Sequence, residues 1–340
     1  MSAQEIPQEL KVHLKAPLLL GSGSGRIITI IIMALLFILP MIAWYVGNKF
    51  YLDFSSRIVC LAIAAVSLNL ILGYGGLVSF GHAAFVGIGA YAVGIPAFHG
   101  YESAWLHFPL AMFTAALYAL ITGAISLRTK GVYFIMITLA FAQMAYYFLL
   151  SLEEYGGDDG MILWVRSDFG FIDISNKLTF FLLAYTFLAL CVYLVFRIVN
   201  SRFGMVLRGC ASNEARMKAL GYNTYIYRLT AYVISGAMCG LAGAMVGNLQ
   251  EFITTDTMTW TRSGELMFMV ILGGAGSLFG PVFGAGVFLL LEEVLSAYML
   301  HWHLPFGAFL IFSVLFVKGG MNGLITRSWQ SKSKQCGGDD

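Results

Sequence analysis

Apolar runs long enough to cross a bilayer follow one another along almost the whole chain, and that succession excludes most folds. A membrane-spanning helix needs about 20 predominantly apolar residues. Such runs read at 26–46, 54–72, 83–98, 107–127, 131–151, 178–199, 229–249, 263–272 with a Gly-rich extension, 282–300 and 305–317. The expectation is an all-α, polytopic transmembrane bundle of about ten spans. Charged residues make up only 11% of the 340, where a soluble domain holds about 25%. The 38 glycines point to closely packed helices. In the seventh run Gly236 and Gly240, then Gly243 and Gly247, form two small-xxx-small pairs that let helix backbones touch.

Charge between the runs sets the orientation, because Lys and Arg stay in the cytoplasm. Lys11, Lys15 and Arg26 precede the first run, Arg128 and Lys130 fill the turn after the fourth, and Lys318, Arg327, Lys332 and Lys334 follow the last. The opposite segments carry acids: Asp53, Glu102, Glu153, Glu154, Asp158, Asp159, Glu251 and Asp256. Both termini are then cytoplasmic, with a tail at 1–25, a membrane domain at 26–318 and a tail at 319–340. The leader is too long for a signal peptide and no small-x-small cleavage site follows it. The longest outside loop, 152–177, opens with EEYGGDDGM. It reads either as a solvated loop or as a contact surface for an external partner.

The richest cytoplasmic segment is 200–228, with Arg202, Arg208, Arg216, Lys218 and Arg228 against the single acid Glu214. It holds the signals of a short helix. Ser212 can cap it, Glu214 sits in its first turn, and Lys218 lies four residues on near its negative end. Gly221 ends it in the manner of a left-handed cap. Met217 and Leu220 share a face with little to bury against. The segment reads as a docking knob or as an ordinary basic loop.

Two stretches between runs are rich in Gly and hold no Lys, Arg, Asp or Glu: 73–82, GYGGLVSFGH, and 273–281, GGAGSLFGP. They share Gly-Gly, then Ser, then Phe-Gly. Backbone breaks at membrane depth are tolerated only where protein or a water-filled cavity covers them, and they mark transport pathways. Tight buried turns are the other reading. Asn69, Gly75, Ser79, Gly81, His82, Gln143, Gly273, Gly274, Ser277 and Glu292 are the candidate pathway residues. Glu292, midway along an apolar run, stands out among them, since intramembrane acids usually face the bundle interior. Its neighbour Glu293 projects about 100° away.

No catalytic constellation is present: there is no HExxH, GxSxG or CxxC pattern, and GSGSG at 21–25 lacks the Lys of a phosphate loop. No cofactor, metal or nucleic-acid partner is implied. The pairs His99/His107 and His301/His303 read as interfacial. The five cysteines read as small apolar side chains, with no disulfide framework.

The stretch 69–85, NLILGYGGLVSFGHAAF, followed by Gly87, Gly89, Ala90 and Tyr91, resembles the branched-chain amino acid ABC transporter permeases, most closely the M-subunit branch. So do RTKGVYFIMITLAFAQ at 128–143, the 214–221 helix followed by 235–244, and 273–284. The similarity covers roughly 52–318 in the right order. It implies a bacterial inner-membrane subunit without catalysis of its own. Its partners would be a related second permease, two cytoplasmic ATPases and an external, periplasmic solute-binding protein. It also implies that Glu214, Ala215, Arg216, Met217, Lys218, Leu220 and Gly221 form the ATPase-coupling helix. Importer permeases often show EAA-x-x-x-G there. Here Glu214-Ala215 is followed by Arg216, and Gly221 comes one residue late.

The implied function is inward movement of branched-chain or related small amino acids. The same machinery would serve urea, short amides or aromatic acids. A stand-alone secondary transporter or channel is the alternative of another class, with Glu292 as its ion carrier.

Overall fold

The computed structural model describes residues 33–316, apart from 35, 39, 43, 46, 165, 171–175, 300 and 302, and the side chains of 313–316. The expected tails, the GSGSG stretch and the start of the first run lie outside the described residues. Described residues between Met33 and Tyr45 are helical. There follow α1 (Lys49–Asn69), continued by a π-turn Leu70–Tyr74, then α2 (His82–Phe98), α3 (Ala104–Ser126), α4 (Val132–Leu150), α5 (Lys177–Val199), α6 (Arg202–Ser212), α7 (Glu214–Ala219), α8 (Thr224–Gln250), α9 (Trp260–Gly273), α10 (Gly280–Tyr298) and α11 (His303–Phe316). The protein is a polytopic helical membrane protein. Six described helices are long and apolar enough to cross a bilayer: α1 with its π-turn, α3, α4, α5, α8 and α10. The expected third, eighth and tenth runs form shorter helices, α2, α9 and α11.

The bundle is built around α8, which packs against α3, α2 and α1, while α5 covers the other side of α1. Glycine makes this possible. A Cβ on Gly243 would stand 1.8 Å from the Val86 carbonyl oxygen of α2, and one on Gly240 would meet the Ala111 carbonyl of α3 at 2.4 Å. Gly236 faces Ala119 of α3, and on α2 Gly89 lies against the Gly240 backbone. Gly236 and Gly240 thus serve α3, Gly240 also meets α2 through Gly89, and Gly243 with Gly247 lies against α2. In a lipid solvent, where apolar burial drives helices together only weakly, such backbone contact is the main source of helix affinity.

The acidic stretch after α8 packs along the bundle, with Glu251 and Asp256 exposed. Ile253 lies against Gly94, Met258 against Gly87, and Ser263 Oγ accepts the Ala83 N–H at 3.1 Å. Residues 253–263 thus run antiparallel beside α2 down to its start, as a short strand, a 3-10 turn and the first turn of α9. Threonines satisfy part of the irregular backbone: Thr254 accepts the Asp256 N–H, and Thr257 and Thr259 hydroxyls donate to local carbonyls. Hydropathy alone could not reveal a polar segment stitched shut by its own hydroxyls.

The 152–177 loop is also anchored. Met161–Ile162 pairs antiparallel with Phe252–Ile253. His107 is buried there: one ring nitrogen meets Ser167 Oγ at 2.7 Å and the other the Tyr101 carbonyl at 2.8 Å. Cations that the charge count passed over are paired at this end, Arg166 with Glu251 at 2.7 Å and Lys177 with Asp53.

Gly243→Leu should destabilise the protein by about 1–3 kcal/mol or more through overpacking. Gly264→Ala in α9, where a Cβ would meet nothing within 4 Å, should stay within about 1 kcal/mol of wild type on the favourable side. Thermal unfolding of the two variants in detergent checks the contrast.

Candidate functional site

The two glycine-rich breaks meet, and Asn69 joins them. Its fully buried amide donates to the Ser277 carbonyl at 2.8 Å and accepts the Gly276 N–H at 2.9 Å. Both bonds are made at the last α-helical residue of α1, where the π-turn begins. Gly73 leaves room for this, since a Cβ there would lie 2.2 Å from Asn69 Oδ1 and 2.3 Å from the Gly276 nitrogen. Gly76, Gly274 and Gly276 take positive φ, open to glycine without strain. The α9–α10 turn closes tightly in its own right: a Cβ on Gly273 would meet the Gly280 carbonyl at 1.8 Å.

Beside this junction a chain of buried hydroxyls ties the start of α2 to α8 and α1. His82 contacts Ser79 Oγ at 3.1 Å through one nitrogen and Ser235 Oγ at 2.9 Å through the other. Ser235 donates to the Ser67 carbonyl at 2.7 Å, and Ser67 donates to the Ser235 carbonyl at 2.6 Å. Cys239 Sγ stands 3.1 Å from Ser67 Oγ. Thr138 of α4 accepts the Phe80 N–H at 3.3 Å, and Gly81 sits under the Tyr232 hydroxyl. Asn69, Ser79, Gly81, His82, Gly273, Gly274 and Ser277 therefore gather in one region. Gly75 lies over the Ile71 carbonyl in the same turn. Gln143 is half-buried on α4, with Thr138 of that helix at the break. Glu292 sits elsewhere, paired with Arg57 of α1 at 3.1 Å. Ser67, Ser235, Thr138 and Arg57 escaped the sequence reading because each lies in an apolar run with no motif to mark it.

The basic loop folds as the hairpin α6–α7. Asn213 ends α6 and caps α7, its side chain accepting the Arg216 N–H at 2.9 Å. This displaces Ser212, which α6 absorbs as its last residue. At the other end Tyr222 N–H bonds the Met217 carbonyl and Gly221 N–H the Lys218 carbonyl, with Gly221 at φ +85. That is a Schellman cap. Met217 packs over Gly209 of α6, which gives it the local partner the sequence had not suggested. Ala215, Arg216, Lys218, Ala219 and Leu220 are exposed.

Glu214 faces the bundle. Its carboxylate meets Lys130 at 2.8 Å, Lys218 at 2.9 Å and Arg228 at 3.1 Å, and accepts from the Thr224 hydroxyl at 3.4 Å. Arg228 is itself nearly buried and also donates to the Cys210 carbonyl at the end of α6. Both lysines are more than half exposed, and Arg228 is the partner shielded from solvent. Burial alone would raise the Glu214 carboxyl. The Lys130 and Lys218 hydrogen bonds, with Arg228 beside them, outweigh it and bring the pKa from 4.5 down to about 2. One acid thus pins α7 to the α3–α4 turn and to the start of α8. On the far side of the hairpin, Ala211 of α6 touches Gly76 of the first break.

Long apolar helices, two of them interrupted at a shared polar junction, with a capped basic hairpin bearing on that junction, define a multi-pass membrane protein built for transport. Residues 50–317 match the family described as branched-chain amino acid transport system / permease component, and the chain belongs to it. It is 25% identical to the high-affinity branched-chain amino acid transport system permease protein LivM of Salmonella typhimurium, over 91% of this chain and 78% of that one. It is 27% identical to the probable LivM of Methanocaldococcus jannaschii, over 69% of this chain and 78% of the relative. A shorter match, 31% identical over 34% of this chain and 36% of the other, is to LivH of Escherichia coli. No solved structure matches.

Because the folded-state pKa of Glu214 lies below its ordinary value, its anchoring is fully present above about pH 4.5 and is lost as pH falls toward 2. Spin labels at Thr129→Cys and Leu220→Cys should give a narrow distance distribution at pH 6 that broadens across that window. With Glu214→Gln added, the distribution should be broad throughout.

Proposed function

We propose that the chain is the permease subunit of an ATP-driven importer, moving branched-chain or related small amino acids across the bacterial inner membrane into the cell. The family match across 50–317 carries this reading. The bundle then has ten spans, with the basic hairpin and both termini in the cytoplasm. A related permease pairs with it, as the separate LivM-like and LivH-like matches suggest. Two cytoplasmic ATPases drive it and an external binding protein delivers the solute.

In this reading α7 is the coupling helix, and its residues divide by direction. Ala215, Arg216, Lys218 and Leu220, all exposed, are the face offered to the ATPase. Glu214, Met217 and the Gly221 cap hold the helix on its own subunit. A push on α7 passes through Glu214 to Lys130 and Arg228, hence to α3 and α8, and through Ala211 to Gly76 at the first break. There the path opens to one side at a time, with Asn69, His82 and Ser277 among the groups that keep the broken backbones paired.

Arg216→Glu combined with Leu220→Asp should cut co-purification of the ATPase at least about tenfold, a loss of roughly 1.4 kcal/mol, with thermal stability unchanged. Association unaffected by the pair of changes would count against the docking face. Solute uptake by this chain alone in ATP-free vesicles, driven by an ion gradient, would overturn the importer reading.

A further inference from the structure

One face of α8 runs from the basic hairpin to the first break. Arg228, Tyr232, Ser235 and Cys239 are spaced i, i+4, i+7 and i+11, so they stand in one row along the helix. Arg228 meets Glu214 of α7 at 3.1 Å. One turn on, the buried Tyr232 ring packs edge-on against His82 and Phe85 of α2 and Phe134 of α4, with centroids 5.7, 5.5 and 6.3 Å away. Ser235 and Cys239 then reach His82 and Ser67. No glycine stands between Arg228 and Ser235, so no weak point interrupts this stretch of about 10 Å.

The hydrogen bonds along this face have a fixed direction. Ser235 donates to the Ser67 carbonyl, so toward His82 Nε2 it can only accept. His82 is fully buried among hydroxyls and aromatic rings, where an uncharged ring is favoured. Its one N–H is therefore at Nε2, and Nδ1 accepts from the Ser79 hydroxyl. Ser79 Oγ is left with lone pairs to offer, one of them to the Gly81 N–H at 3.3 Å. Thr122 of α3 is in the same condition, its proton going to the Tyr118 carbonyl at 2.8 Å. The Tyr232 hydroxyl lies over Gly81, within hydrogen-bonding reach of both Ser79 and Thr122. A phenol has one proton, and two acceptors on two different elements compete for it.

We infer that Tyr232 is a positioning residue for transport, whose hydroxyl switches between Ser79 and Thr122 and so passes a movement of α7 along α8 to the first break. The inference rests on the importer function proposed above. A push on α7 moves Arg228, the uninterrupted stretch carries Tyr232 with it, and a small displacement of the phenol exchanges one acceptor for the other. Donation to Ser79 holds the start of α2; donation to Thr122 releases it. The ring stays packed in both positions and acts as the pivot.

The first test uses the full chain alone in lipid nanodiscs and reads amide hydrogen exchange at Phe80–Ala83. Glu214→Gln, which frees α7, should speed exchange there at least about tenfold. In a Tyr232→Phe background, which keeps the ring, Glu214→Gln should add less than about twofold, the non-additivity expected of coupled residues. Thr122→Val should shrink the Glu214→Gln effect at least roughly threefold. Thr114→Val, which removes a hydroxyl bonded to carbonyls of its own helix, should leave it unchanged. Full additivity of Glu214→Gln with both Tyr232→Phe and Thr122→Val would overturn the inference, as would no effect of Glu214→Gln on the wild-type background. If Tyr232→Phe does not fold, the contrast between Thr122→Val and Thr114→Val decides. The second test uses the chain assembled with its partner permease, ATPases and binding protein in proteoliposomes. Tyr232→Phe should lower the solute moved per ATP at least roughly fivefold, with ATP hydrolysis within about twofold of wild type. Uptake and hydrolysis falling together, or neither changing, would overturn the inference. Absence of ATP-dependent uptake by the wild-type assembly would overturn the importer reading, while the exchange test still decides whether Tyr232 links α7 to the break.

Discussion

Asn69 is the side chain on which the interior depends. Inside an apolar bundle each unpaired N–H or C=O costs several kcal/mol, and a broken helix exposes several of them at once. This protein breaks two helices and brings the breaks together. The Asn69 amide offers one donor and one acceptor on a planar group, and both go to the second break. A hydroxyl would leave its partners less well fixed, and an aliphatic residue would leave both backbone groups bare. Gly73 has to be small because Asn69 occupies the space a side chain there would need. The motif around 69–76 is thus one device, an amide and the glycine that admits it.

The same economy governs packing. From Gly236 to Gly247, helix α8 meets α2 and α3 through its glycines, so backbones come close and stop on carbonyl oxygens, while Tyr232 near its start fills the space against His82 and Phe85 of α2 and Gly123 of α3. Contacts of this kind are stiff toward approach and permissive toward sliding. The hydroxyl chain from Ser79 through His82 and Ser235 to Ser67 supplies direction that the glycines lack. It fixes the depth at which α2 starts relative to α8 and α1. Residues 253–263 descend to that same depth from the other end, so α2 and α9 both begin there.

Much of this was legible in the chain. Helix boundaries followed the apolar runs closely for α4, α5 and α10, because length and hydropathy suffice when lipid is the solvent. The glycine pairs and the two breaks were visible as composition, and the short basic helix as capping chemistry. Partnership was not legible. Asn69 and Ser277 are more than 200 residues apart, and nothing local says they meet. Ser212 and Asn213 are equally good caps by type, and only the preceding helix, which takes Ser212 into its last turn, decides between them. The packing of 253–263 along α2 was not legible either: Glu251 and Asp256 are exposed, as acids suggest, but Ile253, Met258 and Ser263 between and after them are buried. Arg57 was overlooked within an apolar run, although its carboxylate partner on α10 had been noticed.

Glu214 shows why a conspicuous charge need not be the one offered to a partner. In the sequence it is the lone acid of a basic loop and suggests an outward contact. In the fold it has Arg228, Lys130 and Lys218 around it, and together they hold its carboxyl below the usual carboxylate range. A helix of six residues cannot stand alone, since nucleation costs more than so few hydrogen bonds return. Its persistence requires an N-cap, a C-cap and an anchor, and all three are present. An element that transmits force, as proposed for α7, must be held at least as firmly by its own subunit as by whatever pushes it, or it would peel away. The inward acid supplies that hold and leaves the opposite side of α7 exposed.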